Sequence, residues 1–104
     1  MNIDLGQVVI TQGVLALVED KNRPMGFGMA AIHKMLRLHQ SGDWGSVCPT
    51  DWETNNEAAN SGGRILSAYA IDEVKGSQGW GDNTIWIITE WDRSVTTALL
   101  PDEY

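Results

Sequence analysis

A chain of 104 residues carrying 14 acidic and seven basic side chains, with a formal charge of −7, has room for one hydrophobic core and too little chain for two. The acidic balance disfavours a phosphate-binding stripe, which needs clustered cations, so no direct nucleic-acid partner is expected. Cys48 is the single cysteine, which excludes an intrachain disulfide. No apolar run reaches the ~20 residues that cross a bilayer. Met1–Gly6 lacks the basic and apolar regions of a secretory leader, so the expectation is a cytoplasmic chain with no membrane partner.

Gln7–Ile10 is a short β-prone run. Thr11 follows as an N-cap, and Val14, Leu15, Leu17 and Val18 make a short helix that the polar run ending in Pro24 stops. The 3–4 residue spacing of Met25, Met29, Ile32, Met35 or Leu36, and Leu38 or His39 predicts a second helix from about Met25 to His39, ended by Ser41-Gly42. Asp43–Pro49 is a loop. Thr50 and Glu53 fit a reciprocal capping box, which predicts a third helix from Asp51 to about Asn60.

Beyond Gly62-Gly63 the hydrophobic period becomes two. Arg64–Ile71, Thr84–Thr89 and Val95–Leu100 read as strands joined by hairpins, the first through a long glycine-rich connection at 72–83. The middle strand is apolar on both faces and is expected to be central. The predicted fold is α+β in one domain: an N-terminal short strand and three helices packed on a C-terminal three-stranded antiparallel meander.

Few residues carry chemistry. His33 and His39 lie six positions apart, about 240° around a helix, and share no face. With one cysteine and no His-Glu motif, no metal or cofactor is expected. Cys48 stands before a helix but lacks any nucleophile signature. The carboxylates Asp43, Asp51, Glu53, Glu57, Glu90 and Asp92 could pair for acid–base work, yet the three from 51 to 57 suit a helix start. Gly76–Gly81 lacks the Lys-Ser/Thr of a phosphate loop. Trp80, between two glycines, either folds back on the sheet or anchors a partner. Trp44, between Asp43 and Gly45, has the same choice, tilted toward packing.

Several segments carry a resemblance: Thr11-Gln12-Gly13-Val14-Leu15, His39-Gln40-Ser41-Gly42-Asp43-Trp44-Gly45, Asn56, Gly62–Tyr69, Ile85–Thr97 and Leu99–Tyr104. Together they resemble a family of short, mostly uncharacterised bacterial proteins common on plasmids, phages and other mobile elements. That family supplies no catalytic residues to carry over. Against its usual pattern Pro24–Met29 and the Gly76–Asn83 hairpin are extra length, and Trp91 stands where alanine is usual.

Charge is skewed. Residues 42–104 hold 11 acids against three bases, and residues 1–41 hold three against four. An acidic surface steers toward basic partners. With the mobile-element resemblance, the expectation is a non-enzymatic interaction module. It would bind a basic host or defence-system protein, such as a restriction or CRISPR component, through Trp80 and Asp82. A second cluster at element ends comprises His39, Asp43, Trp44, Glu90, Asp92 and Arg93, read either as a site or as a hydrogen-bond network joining helices to sheet. The alternatives are a small hydrolase using His39 with Asp43 or Asp92, and a homodimer.

Overall fold

The computed structural model describes residues 1–104. In chain order the elements are β1 (Gln7–Ile10), α1 (Gln12–Glu19), α2 (Met29–Ser41), α3 (Pro49–Ser61), β2 (Ile65–Ala70), β3 (Thr84–Thr89), β4 (Val95–Leu99) and a 3-10 turn at Pro101–Glu103. The fold is α+β, with three helices and one sheet. The sheet differs from the expected meander. It has four strands in the order β1-β4-β3-β2, because β1 lies beside β4 and parallel to it, Gln7 opposite Val95 and Ile10 opposite Ala98. The antiparallel β2-β3-β4 part is as expected, with β3 inside. A four-residue strand names no partner by itself, which is why this parallel pairing was not readable from Gln7–Ile10 alone.

Two helix starts also need correction. The second helix begins at Met29, not Met25. Gly26 turns the backbone to φ +85, and Phe27 N bonds Pro24 O at 3.1 Å. The Arg23 Nε then donates to Phe27 O at 2.8 Å. These bonds close a turn where the first helical turn was expected, and they bury Phe27. The third helix begins at Pro49 with Cys48 before it, so the Thr50–Glu53 capping box does not form. Proline at the first helical position has its φ pre-set for the helix and leaves one orphan N–H fewer to satisfy, so the helix starts there without a side-chain cap. Thr50 is thereby drawn inside the helix, where its carbonyl accepts from Thr54 Oγ1 at 3.0 Å.

The main core lies between α1, α2 and one sheet face. Val14, Phe27, Ile32 and Met35 meet Tyr69, Ile71, Ile85, Ile87 and Ala98 there. A smaller cluster of Ile3, Trp44, Ala58 and Ile65 sits under α3. The outer edge of β2 is closed. Ala68 N donates to Trp44 O at 3.1 Å and Ser46 N to Ala68 O at 2.7 Å. Further along, the Asn55 amide binds the backbone of Leu66, donating to its carbonyl at 2.7 Å and accepting from its N–H at 3.3 Å. Such closure removes a template for strand pairing.

Candidate functional site

The ends of α2, β2, β3 and β4 meet at His39. Its side chain is fully buried, with Nδ1 at 2.5 Å from Ser67 Oγ and Nε2 at 2.8 Å from Thr89 Oγ1. Thr89 Oγ1 is 2.8 Å from Thr96 Oγ1, which donates to Leu5 O at 2.7 Å. That last bond orients the whole chain. A carbonyl only accepts, so Thr96 spends its one proton there and accepts from Thr89. Thr89 then accepts from His39 Nε2–H, and Nδ1 accepts from Ser67. His39 is therefore the neutral Nε2–H tautomer. Burial, reinforced by the positive charge of Arg93, pulls its pKa from 6.5 down to about 4. The indole ring of Trp44 packs edge-on against the imidazole, centroids 5.6 Å apart.

No carboxylate bonds this imidazole. Asp43 is exposed, and its Oδ1 accepts from Gly45 N at 3.2 Å. Its carbonyl accepts from Tyr69 Oη at 2.7 Å. Burial raises the Tyr69 pKa well above its ordinary value, partly offset by Ser67 and helped by the Asp43 charge. Asp92 Oδ1 accepts from Ser94 N and Oγ at 3.0 and 2.6 Å. Those bonds hold the Asp92 carboxyl below its ordinary range. The His39–acid pair that the hydrolase reading requires is absent from the geometry. Both imidazole nitrogens are occupied by hydroxyls, and the ring has no exposed face.

Glu90, Asp92 and Arg93 do come together, in the turn joining β3 to β4. Arg93 adopts φ +61, the one non-glycine residue with positive φ. Arg93 N closes the turn onto Glu90 O at 2.9 Å. Its guanidinium donates to Ala58 O at 2.9 Å, to Gly63 O at 2.7 Å and to Glu90 O at 3.1 Å. A cation on Ala58 O, in the last turn of α3, complements the negative end of that helix. Trp44 is buried, with Nε1 on Asn56 Oδ1 at 2.9 Å. Glu90 sits 3.7 Å from Arg64 Nε on the surface.

Trp80 and Asp82 lie elsewhere, in the 71–83 connection at the opposite end of β3. This loop is tightly tied. Asn83 accepts from Asp72 N at 2.8 Å and donates to Asp72 O and Gly76 O at 3.0 and 2.7 Å. Thr84 Oγ1 donates to Trp80 O at 2.9 Å, and Trp86 Nε1 to Gly79 O at 2.8 Å. Trp80 nevertheless remains 66 % exposed.

Beside the loop, against α2, runs a groove of about 510 Å³ lined by Met25, Ala31, Met35, Leu38, Tyr69 and Val74 among others. Met25 and Val74 are fully solvent-facing. Lys34 and Glu73 pair at 3.8 Å along it. In sequence Met25 belongs to the helical stripe, which hides it as a surface residue, whereas Val74, an aliphatic residue flanked by Glu73 and Lys75 in a loop, is the local signal for this groove.

No group of histidine, cysteine or carboxylate side chains has the geometry of a metal site. No protein-family model, curated protein or solved structure matches this chain.

Proposed function

We propose that the chain is a protein-interaction module that binds a basic partner through the 71–83 loop. The observation that carries this reading is Trp80: a large aromatic side chain left in water on a loop whose backbone is fixed by side-chain bonds at Asn83, Thr84 and Trp86. Tryptophan is enriched at interface hot spots. A loop already held in one shape loses little conformational entropy on binding, so more of the contact energy appears as affinity. Asp82 near Trp80 and Asp72 at the loop's base leave the loop acidic beside Lys75 and the Lys34–Glu73 pair, which sets an electrostatic preference for cationic surfaces. A basic, nucleic-acid-handling protein of a host defence system is the partner class that this charge favours.

The experiment is affinity capture from host lysate after nuclease treatment, run in parallel with Trp80→Ala and Asp82→Lys. A basic nucleic-acid-handling protein retained by the natural chain and lost from both variants is the expected result. An identical set of captured proteins for all three chains overturns the assignment of this surface.

A further inference from the structure

The connection between β2 and β3 encloses a second concavity, distinct from the groove against α2. It is an open cup of about 440 Å³ lined by Lys75–Gln78 and Trp80–Asn83, within the size range of clefts that take small molecules. Its wall is fixed in place. Ser77 Oγ bonds Thr84 Oγ1 and accepts from Gly79 N at 3.0 Å, and Asn83 ties Asp72 to Gly76. A Cβ at Gly79 would lie 2.8 Å from Ser46 O, so the loop rests directly on the segment that follows Trp44.

Those bonds use the side chains of Ser77, Asn83 and Thr84. They leave Lys75, Gln78, Trp80 and Asp82, all exposed and all on the cup, and these unspent groups select the ligand. Lys75 only donates, Asp82 only accepts, and Gln78 does both. Trp80 is the one hydrophobic wall. The charges of Lys75 and Asp82 cancel, so an entering phosphate meets Asp82 and an entering guanidinium meets Lys75. A nucleobase would lay one apolar face on Trp80 and leave the other in water. The complement of this cup is a neutral ring with a single apolar face and a rim that both donates and accepts. A pyranose sugar has that form, with C–H bonds on one face and hydroxyls around its edge.

We infer that the cup is a binding subsite for a neutral pyranose sugar, stacked on Trp80 and held at its hydroxyls by Lys75, Gln78 and Asp82. This goes beyond the protein partner proposed above. Asp72 and Glu73, which incline the loop toward cationic surfaces, line the groove and not the cup. Sugar and protein exclude each other at Trp80.

The test is titration of the isotope-labelled chain with the methyl glycosides of glucose, galactose and mannose at millimolar concentration, followed by proton–nitrogen correlation spectra. At least one glycoside should shift the Trp80 indole N–H and the amides of residues 75–83 saturably, with the indoles of Trp44 and Trp52 unmoved. Sorbitol, which has the hydroxyls without the ring face, should shift neither set. Trp80→Ala should abolish the response. Gln78→Ala and Asp82→Asn should each weaken it about fivefold, the worth of one hydrogen bond. Lys75→Met separates the two occupants: it should weaken the sugar and strengthen retention of a basic protein. Glycoside binding with no basic protein captured removes the protein partner and leaves this site standing. The inference is overturned if no glycoside gives a saturable shift, if sorbitol gives the same one, or if the Gln78 and Asp82 variants bind as tightly as the natural chain. A response to adenosine alone also overturns it and assigns the cup to a base.

Discussion

Lowering the pH from about 7 to about 5 should destabilise the fold by about 2 kcal/mol through His39 alone. The imidazole titrates at 6.5 when unhindered and at about 4 in the folded chain. A base whose folded pKa is depressed favours folding while it is neutral. Its stabilising effect is complete above 6.5 and is lost as the pH falls toward 4, because the unfolded chain takes up a proton that the folded chain refuses. The full loss below pH 4 is about 3 kcal/mol, at 1.36 kcal/mol per pKa unit, and somewhat more than half of it falls between about pH 7 and 5. That window is well chosen. The carboxyls held low by hydrogen bonds, Asp92 and Glu103, lose their contributions only below their ordinary values of 3.8 and 4.5. The assay is urea unfolding followed by tryptophan fluorescence at a series of pH values, with His39→Gln as the comparison. A stability that is flat from pH 7 to 5, or a His39→Gln chain with the same slope as the natural one, refutes the burial argument.

Arg93→Ala removes a guanidinium from three carbonyls and should cost about 2–3 kcal/mol in urea unfolding. Because the Arg93 charge also depresses the His39 pKa, the variant's pH 7-to-5 slope should be shallower. Trp80→Ala should change stability by less than about 0.5 kcal/mol, as an exposed residue does, whereas Trp44→Ala should cost about 3–5 kcal/mol through the cavity it leaves; thermal melts compare the two. Gly45→Ala should destabilise by more than about 1 kcal/mol, since φ is +74 and a Cβ there would overlap the Ala68 carbonyl. Thr11→Ala should cost about 1 kcal/mol, because its hydroxyl both caps Val14 N and donates to Glu103.

Local signals in the sequence located most elements. Thr11 caps α1, Gly42 ends α2 in a left-handed conformation, and the double-sided apolar run Thr84–Thr89 lies inside the sheet. Two local signals lost to neighbours. Met25 fits the helical stripe, but Arg23 and Gly26 close a turn first. The Thr50–Glu53 pattern fits a cap, but Pro49 starts the helix ahead of it.

What could not be read was long-range. Nothing in Gln7–Ile10 indicates Val95–Ala98 as its partner. The same limit applies to the cluster at His39. The segments named from sequence meet in space: Thr11-Gln12-Gly13 is clasped by Glu103, Gly63 by Arg93, and Arg64 by Tyr104, which also packs on Trp86. The hydroxyls on either side of His39 come from Ser67 and Thr89, which look like ordinary strand residues until the strands are aligned.

The position of β4 has a consequence for how the chain is made. It is the last strand of the sheet in chain order, yet it sits between the first strand and β3. Until it arrives, β1 has no neighbour and β3 has one bare edge, so the sheet closes by insertion rather than by growth from one side. Residues 7 and 95 must find each other across almost the entire chain, a long loop closure that slows folding. On a ribosome the N-terminal strand would wait, unpaired and uncharged, until β4 emerged. A nascent or truncated chain lacking β4 would present both edges of β1 and one edge of β3 at once, and would be a far better substrate for chaperones and proteases than the finished domain.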